Sequence, residues 1–137
     1  MDKEYEKLIV RNFFQKKVQD RIIFELASSK KRMKALGRLA HDYDNILNSM
    51  YFEAIPKDIV YAEGISTQLK NYGANDSCYV MSLISEIDGK FMKLESAIEE
   101  VIWRGLPCLI SCIPNKLLYF QAEQVSGPPE RYILRKN

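Results

Sequence analysis

Two stretches of the chain are apolar on both alternate sets of positions, the pattern of a strand covered on both faces. In the first, Cys78, Val80, Ser82 and Ile84 alternate with Tyr79, Met81 and Leu83; in the second, Cys108, Ile110 and Cys112 alternate with Leu109, Ser111 and Ile113. Between them Leu94, Ala97, Ile98, Val101 and Ile102 recur at helical spacing and leave Glu95, Glu99 and Glu100 for solvent. This predicts a helix over 94–104, stopped by Gly105 and Pro107. A strand over 77–84, that helix and a strand over 106–113 are most economically joined as a right-handed βαβ unit with parallel strands.

Downstream the period changes. Leu118, Phe120 and Ala122 alternate with Tyr119, Gln121 and Glu123, which predicts a strand over 117–124 with one buried and one wetter face. Pro114, Asn115 and Lys116 make the tight link before it. Ser126, Gly127, Pro128 and Pro129 form a stiff turn into a last strand, Arg131 to Arg135. These are antiparallel additions, so the expected sheet is mixed and has four or more strands.

The first fifty residues read as helical. Ile9, Val10, Phe13, Phe14, Val18 and Ile22 keep one apolar stripe from Glu4 to about Leu26, whether the helix breaks near Lys16 or runs through. Ser28 and Ser29 offer a cap for a second helix, whose stripe is Met33, Leu36, Ala40, Tyr43 and Leu47, with Lys30, Lys31, Lys34, Arg38 and His41 opposite. Pro56 forbids a continuous helix through the next stretch; 57–72 reads mainly as helix, with Ile59, Val60 and Tyr61 open to either strand or helix. The fold class is α+β: one domain over 1–137, helical over 1–50 and sheet-forming over 77–135, with helices covering the sheet.

Length and composition narrow this only a little. A chain of 137 residues suits one domain, and 47% hydrophobic with 28% charged residues is ordinary for a soluble globular protein. A formal net charge of +2 does not by itself argue for nucleic acid. The apolar runs fall short of the roughly 18–20 residues that span a bilayer, and Met1 to Glu6 lack a signal-peptide core, so a cytoplasmic location without membrane contact is expected. Three cysteines, all in the apolar strands, read as small core residues in a reducing compartment, and no zinc spacing or other cofactor motif is present.

Four constellations carry candidate chemistry. Lys30, Lys31, Arg32, Lys34 and Arg38 crowd cations near a helix start, where the macrodipole disfavours them, and such a surface suits an anionic partner. On this reading Phe24 and Tyr43 are core residues rather than base-stacking platforms. His41, Asp42 and Asp44 include ligand types for a metal, but helical geometry spreads them over different faces. If the two central strands are parallel neighbours, Ser85, Glu86, Asp88 and Gly89 meet Ser111, Cys112 and Asn115 in one crevice, with Glu86 as base and Cys112 as nucleophile. Finally, Tyr119, Gln121 and Glu123 with Arg131, Ile133 and Arg135 form the wet face of the last hairpin, where Glu123 can pair with Arg131.

The expectation that follows is a non-catalytic protein-binding or regulatory domain, one version being an inhibitor of the immunity-protein kind. It would contact another protein through Tyr119, Gln121, Glu123, Arg131 and Arg135 or through Lys30, Lys31, Lys34 and Arg38. The alternatives are a nucleic-acid binder using the basic helix and a small enzyme at the strand-end crevice. A homodimer through a sheet edge or the first apolar stripe also fits the pattern.

Overall fold

The computed structural model describes residues 1–136. Along the chain run α1 (Lys3–Phe13), α2 (Gln19–Ala27), α3 (Arg32–Ile46), β1 (Phe52–Ala54), α4 (Ala62–Asn71), β2 (Ser77–Ser82), β3 (Phe91–Lys93), α5 (Leu94–Val101), β4 (Cys108–Ile113), β5 (Leu117–Gln121) and β6 (Arg131–Arg135). The six strands make one sheet in the order β1-β6-β5-β4-β2-β3, and each neighbouring pair is antiparallel. The architecture is α+β with a helical N-terminal region. The sheet is not mixed, however, and β2, α5 and β4 do not form a βαβ unit.

A strand that periodicity leaves out accounts for the difference. Asp88 and Gly89 turn the chain back on itself, with Gly89 at φ 74°, a left-handed conformation that side chains resist. The Gly89 amide donates to the Val80 carbonyl at 2.8 Å, and the Val80 amide donates to the Lys90 carbonyl at 3.0 Å. β3 therefore runs back along β2, and Leu94 opens α5 directly after it. That one added reversal changes the parity of the connection, so β4 pairs antiparallel with β2, Val80 opposite Ile110. At three residues, β3 was too short to leave an alternating signal of its own.

The two apolar sets of the central strands face two separate helical layers. Cys78, Val80, Cys108, Ile110 and Ile133 pack under α4 and α5 against Ile65, Leu69, Ala97, Ile98 and Val101. Tyr79, Met81, Leu109, Leu118, Phe120 and Leu134 pack against Ile9, Val10, Phe13, Ile22, Leu36 and Leu39 of α1, α2 and α3. Burying each such aliphatic or aromatic side chain contributes about 1.5–3 kcal/mol, so both layers are held mainly by the period-two pattern of the sheet. The edge strands β1 and β3 have three residues each, which leaves little backbone open to another chain.

Of the two courses open to the first helix the break is the one taken, and the second helix departs from its expected stripe. The first helix breaks: Phe14 leaves α1 in an extended conformation and bridges to Leu47, and the buried Gln19 side chain donates to the orphaned Phe14 carbonyl at 3.0 Å. The stripe of α3 is shifted by about a residue, with Arg32, Ala35, Leu36 and Leu39 buried while Met33 is exposed. No serine hydroxyl caps α3; the Ser28 carbonyl accepts the amides of Lys31 and Arg32 at 3.2 and 2.9 Å. The short strand of the middle region is Phe52–Ala54, not 59–61, which leads into α4 as a loop.

Candidate functional site

The expected wet face of the last hairpin lies inside the protein. Tyr119 and Gln121 are fully buried and Arg131 is 4% exposed, because α5 and the turn after it roof this end of the sheet. Tyr119 Oη donates to Gln121 Oε1 at 2.9 Å, Gln121 Nε2 donates to the Val101 carbonyl at 2.8 Å, and Arg131 Nε reaches Gln121 Oε1 at 3.4 Å. These side chains therefore hold the C-terminal end of α5 on the sheet, and Arg131 pairs with Gln121 rather than Glu123. Glu123 is half-buried and lies 3.6 Å from His41 Nδ1. Arg135 is exposed at the far end of β6, where it stacks on the Tyr72 ring at 3.9 Å and contacts Glu53 at 3.3 Å.

The basic run divides in the same way. Arg32 is 3% exposed and points into the core, donating to Glu6 at 2.6 and 2.7 Å, to Asp88 at 2.7 and 2.9 Å and to the Leu26 carbonyl at 3.1 Å. Tyr79 Oη donates to the same Glu6 carboxylate at 2.5 Å. Burial works to lower the Arg32 pKa, but its hydrogen bonds to the Asp88 and Glu6 carboxylates outweigh it and hold the guanidinium charged. Arg38 forms a bidentate pair with Glu25. Lys30, Lys31 and Lys34 stay exposed. Lys31 sits over the ring of Phe24 at 5.0 Å, and that ring is 63% exposed rather than a core residue. Tyr43 is half-buried against Phe120.

The strand-end crevice is not assembled. With β2 and β4 antiparallel, Ser82 at the end of β2 faces Cys108 at the start of β4. Ser85 and Glu86 therefore lie at the opposite end of the sheet from Cys112 and Asn115. Asp88 is bound to Arg32 and accepts the Ser82 amide at 3.0 Å, and burial pushes the Cys112 thiol pKa up, away from a nucleophilic thiolate. His41 is exposed, while Asp42 sits at a kink in α3 and accepts from Asn45 at 2.6 Å. Among the described residues no group of three or more His, Cys, Asp or Glu side chains could hold a metal ion, and no helix is long and apolar enough to cross a membrane.

A different surface gathers unpartnered side chains. Tyr61, which precedes α4, and Trp103, in the turn after α5, are 72% and 68% exposed and line one groove of about 300 Å³ with Glu63, Glu95 and Glu99. Its helical logic is simple: positions 95, 99 and 103 are spaced by four, so both carboxylates and the indole share one face of α5 and its continuation. Glu63 comes from the first turn of the neighbouring α4. None of these three carboxylates has a salt-bridge partner among the described residues; the nearby Lys70 is bound to Asp76 at 2.9 Å. The sequence held this signal, since Trp103 falls off the apolar stripe and onto the glutamate face. No family model, curated protein or solved structure matches the chain.

Proposed function

We propose that this chain is a non-catalytic protein-binding domain that docks a basic stretch of a partner protein across Tyr61 and Trp103. The observation that carries this is the pair of large aromatic side chains left exposed beside three carboxylates that form no salt bridge among the described residues. Trp and Tyr dominate binding energy at protein interfaces because each buries a large rigid surface at little entropic cost. An arginine or lysine of the partner, laid against the Trp103 ring, gains a cation–π contact and meets Glu95 or Glu99 at the same time. An inhibitor or adaptor works in this manner, by occupying a surface rather than by chemistry.

The test is a capture experiment from extract of the source cells with the wild-type chain and with Tyr61→Ser/Trp103→Ser. A protein retained by the wild type, lost with the double variant and released by raised salt supports the reading; an identical captured set overturns it. The exposure of Phe24 under Lys31, beside Lys30 and Lys34, favours a second reading, a nucleic-acid contact on the opposite helical layer. That contact would weaken steeply with salt and be lost on charge reversal at Lys31 and Lys34, whereas salt-insensitive binding would exclude it.

A further inference from the structure

On the other side of Trp103 lies a second cleft, of about 260 Å³, walled by Val60, Trp103, Pro128 and Pro129 and reaching Arg131. We infer that it is a binding site for a small monocarboxylate with an apolar body, whose carboxylate pairs with the Arg131 guanidinium. Arg131 is 4% exposed, yet no carboxylate of the described residues forms a salt bridge with it. Buried guanidinium groups are normally paired, because taking the charge out of water costs several kcal/mol that only an opposite charge or good hydrogen bonds offset.

What the protein itself supplies is partial. Nε reaches Gln121 Oε1 at 3.4 Å and Nη2 reaches the Ile102 carbonyl at 3.3 Å, both long; the Tyr119 hydroxyl stands beside the same guanidinium, and none of its nitrogens is both sealed from solvent and unbonded. The last carbonyls of α5 lend the negative end of a helix dipole, equivalent to about half a charge. Donors on one edge of a guanidinium in a fixed fork match the two oxygens of a carboxylate, whereas the cleft walls offer apolar and aromatic surface for the rest of the ligand. Phosphate fits this less well, because a dianion with one buried cation would bring an unpaired charge into an apolar cleft.

The chain has a single tryptophan, so its fluorescence reports on this cleft directly. The probe is cyclohexanecarboxylate, which does not absorb where tryptophan is excited, titrated beside cyclohexanecarboxamide and inorganic phosphate. The expected result is a saturable change in Trp103 emission with the carboxylate, at least tenfold weaker with the amide and with phosphate. Arg131→Met keeps the bulk and removes the charge, and its fold is checked by circular dichroism; it should lose the carboxylate response and the accompanying rise in melting temperature. A wild-type response equal for acid and amide, or retained in Arg131→Met, overturns the assignment, as does no saturable response to the acid. Glu95→Gln/Glu99→Gln should leave carboxylate binding intact while weakening the protein contact, which separates this site from the docking surface.

Discussion

Arg32 and Asp88 are joined by two parallel hydrogen bonds, Nε to Oδ2 at 2.7 Å and Nη2 to Oδ1 at 2.9 Å, which tie the first residue of α3 to the turn between β2 and β3. The same guanidinium clamps Glu6 of α1, so one cation links two N-terminal helices to the strand reversal that sets the sheet's topology.

Removing that cation leaves two buried carboxylates facing each other without compensation. Arg32→Met should therefore destabilise the protein by about 3–5 kcal/mol, read as a lowered urea midpoint. Lys30→Ala, two residues away and exposed, should change stability by less than about 0.5 kcal/mol. Equal small effects for the two would show that Arg32 does not anchor the helices.

Gln121 is bonded on both ends of its amide inside the core. Replacing it with Leu strands the Tyr119 hydroxyl and an Arg131 donor, at about 1–3 kcal/mol for each orphaned group. Tyr119→Phe removes a single bond and should cost about 1 kcal/mol. Both effects should appear in unfolding curves, while any loss of partner binding should follow the unfolded fraction alone.

Burial pushes the Cys78 and Cys108 thiols up to about 12 from an ordinary value of 9, and Cys112 moves in the same direction. Neutral buried thiols are poor nucleophiles. A chromogenic disulfide reagent at mildly alkaline pH should react with the native chain no faster than it opens, and should titrate all three cysteines once denaturant is added. Fast labelling of a native thiol would contradict the packing under α4 and α5.

The hydrogen bond from Arg38 holds the Glu25 carboxyl below its ordinary value of 4.5, against the opposing effect of burial. The folded state thus binds this proton less readily than the unfolded chain. The stabilisation is fully present above 4.5 and is lost as pH falls through the lower folded value. Since Arg38 remains partly open to water, the contribution is about 1 kcal/mol or less. Glu25→Gln should shrink the acid limb of a stability–pH curve by that amount; an unchanged curve would remove the pair from the acid response.

Much of the fold was legible as periodicity, but less of the site. The apolar alternation at Cys78 to Leu83 and at Cys108 to Ile113 marked strands covered on both faces, and Leu94 to Val101 marked the helix between them. The polar alternation at Tyr119 and Gln121 looked like solvent exposure because composition cannot distinguish a wet face from an interior hydrogen-bond network. The same ambiguity hid Arg32 among surface lysines.

By itself, the sequence determined which segments become the central strands β2 and β4 and the helix α5, and which of their faces are apolar, since those properties depend on neighbours one to four residues away. Tertiary structure alone decided that β4 runs antiparallel to β2, that Arg32 meets Glu6 and Asp88, and that Trp103 stands between two grooves. The physical reason is range: strand direction depends on the number of chain reversals, and a charge's partner depends on residues brought together from across the chain. In this protein one three-residue strand, too short to carry a period, set the direction of β4.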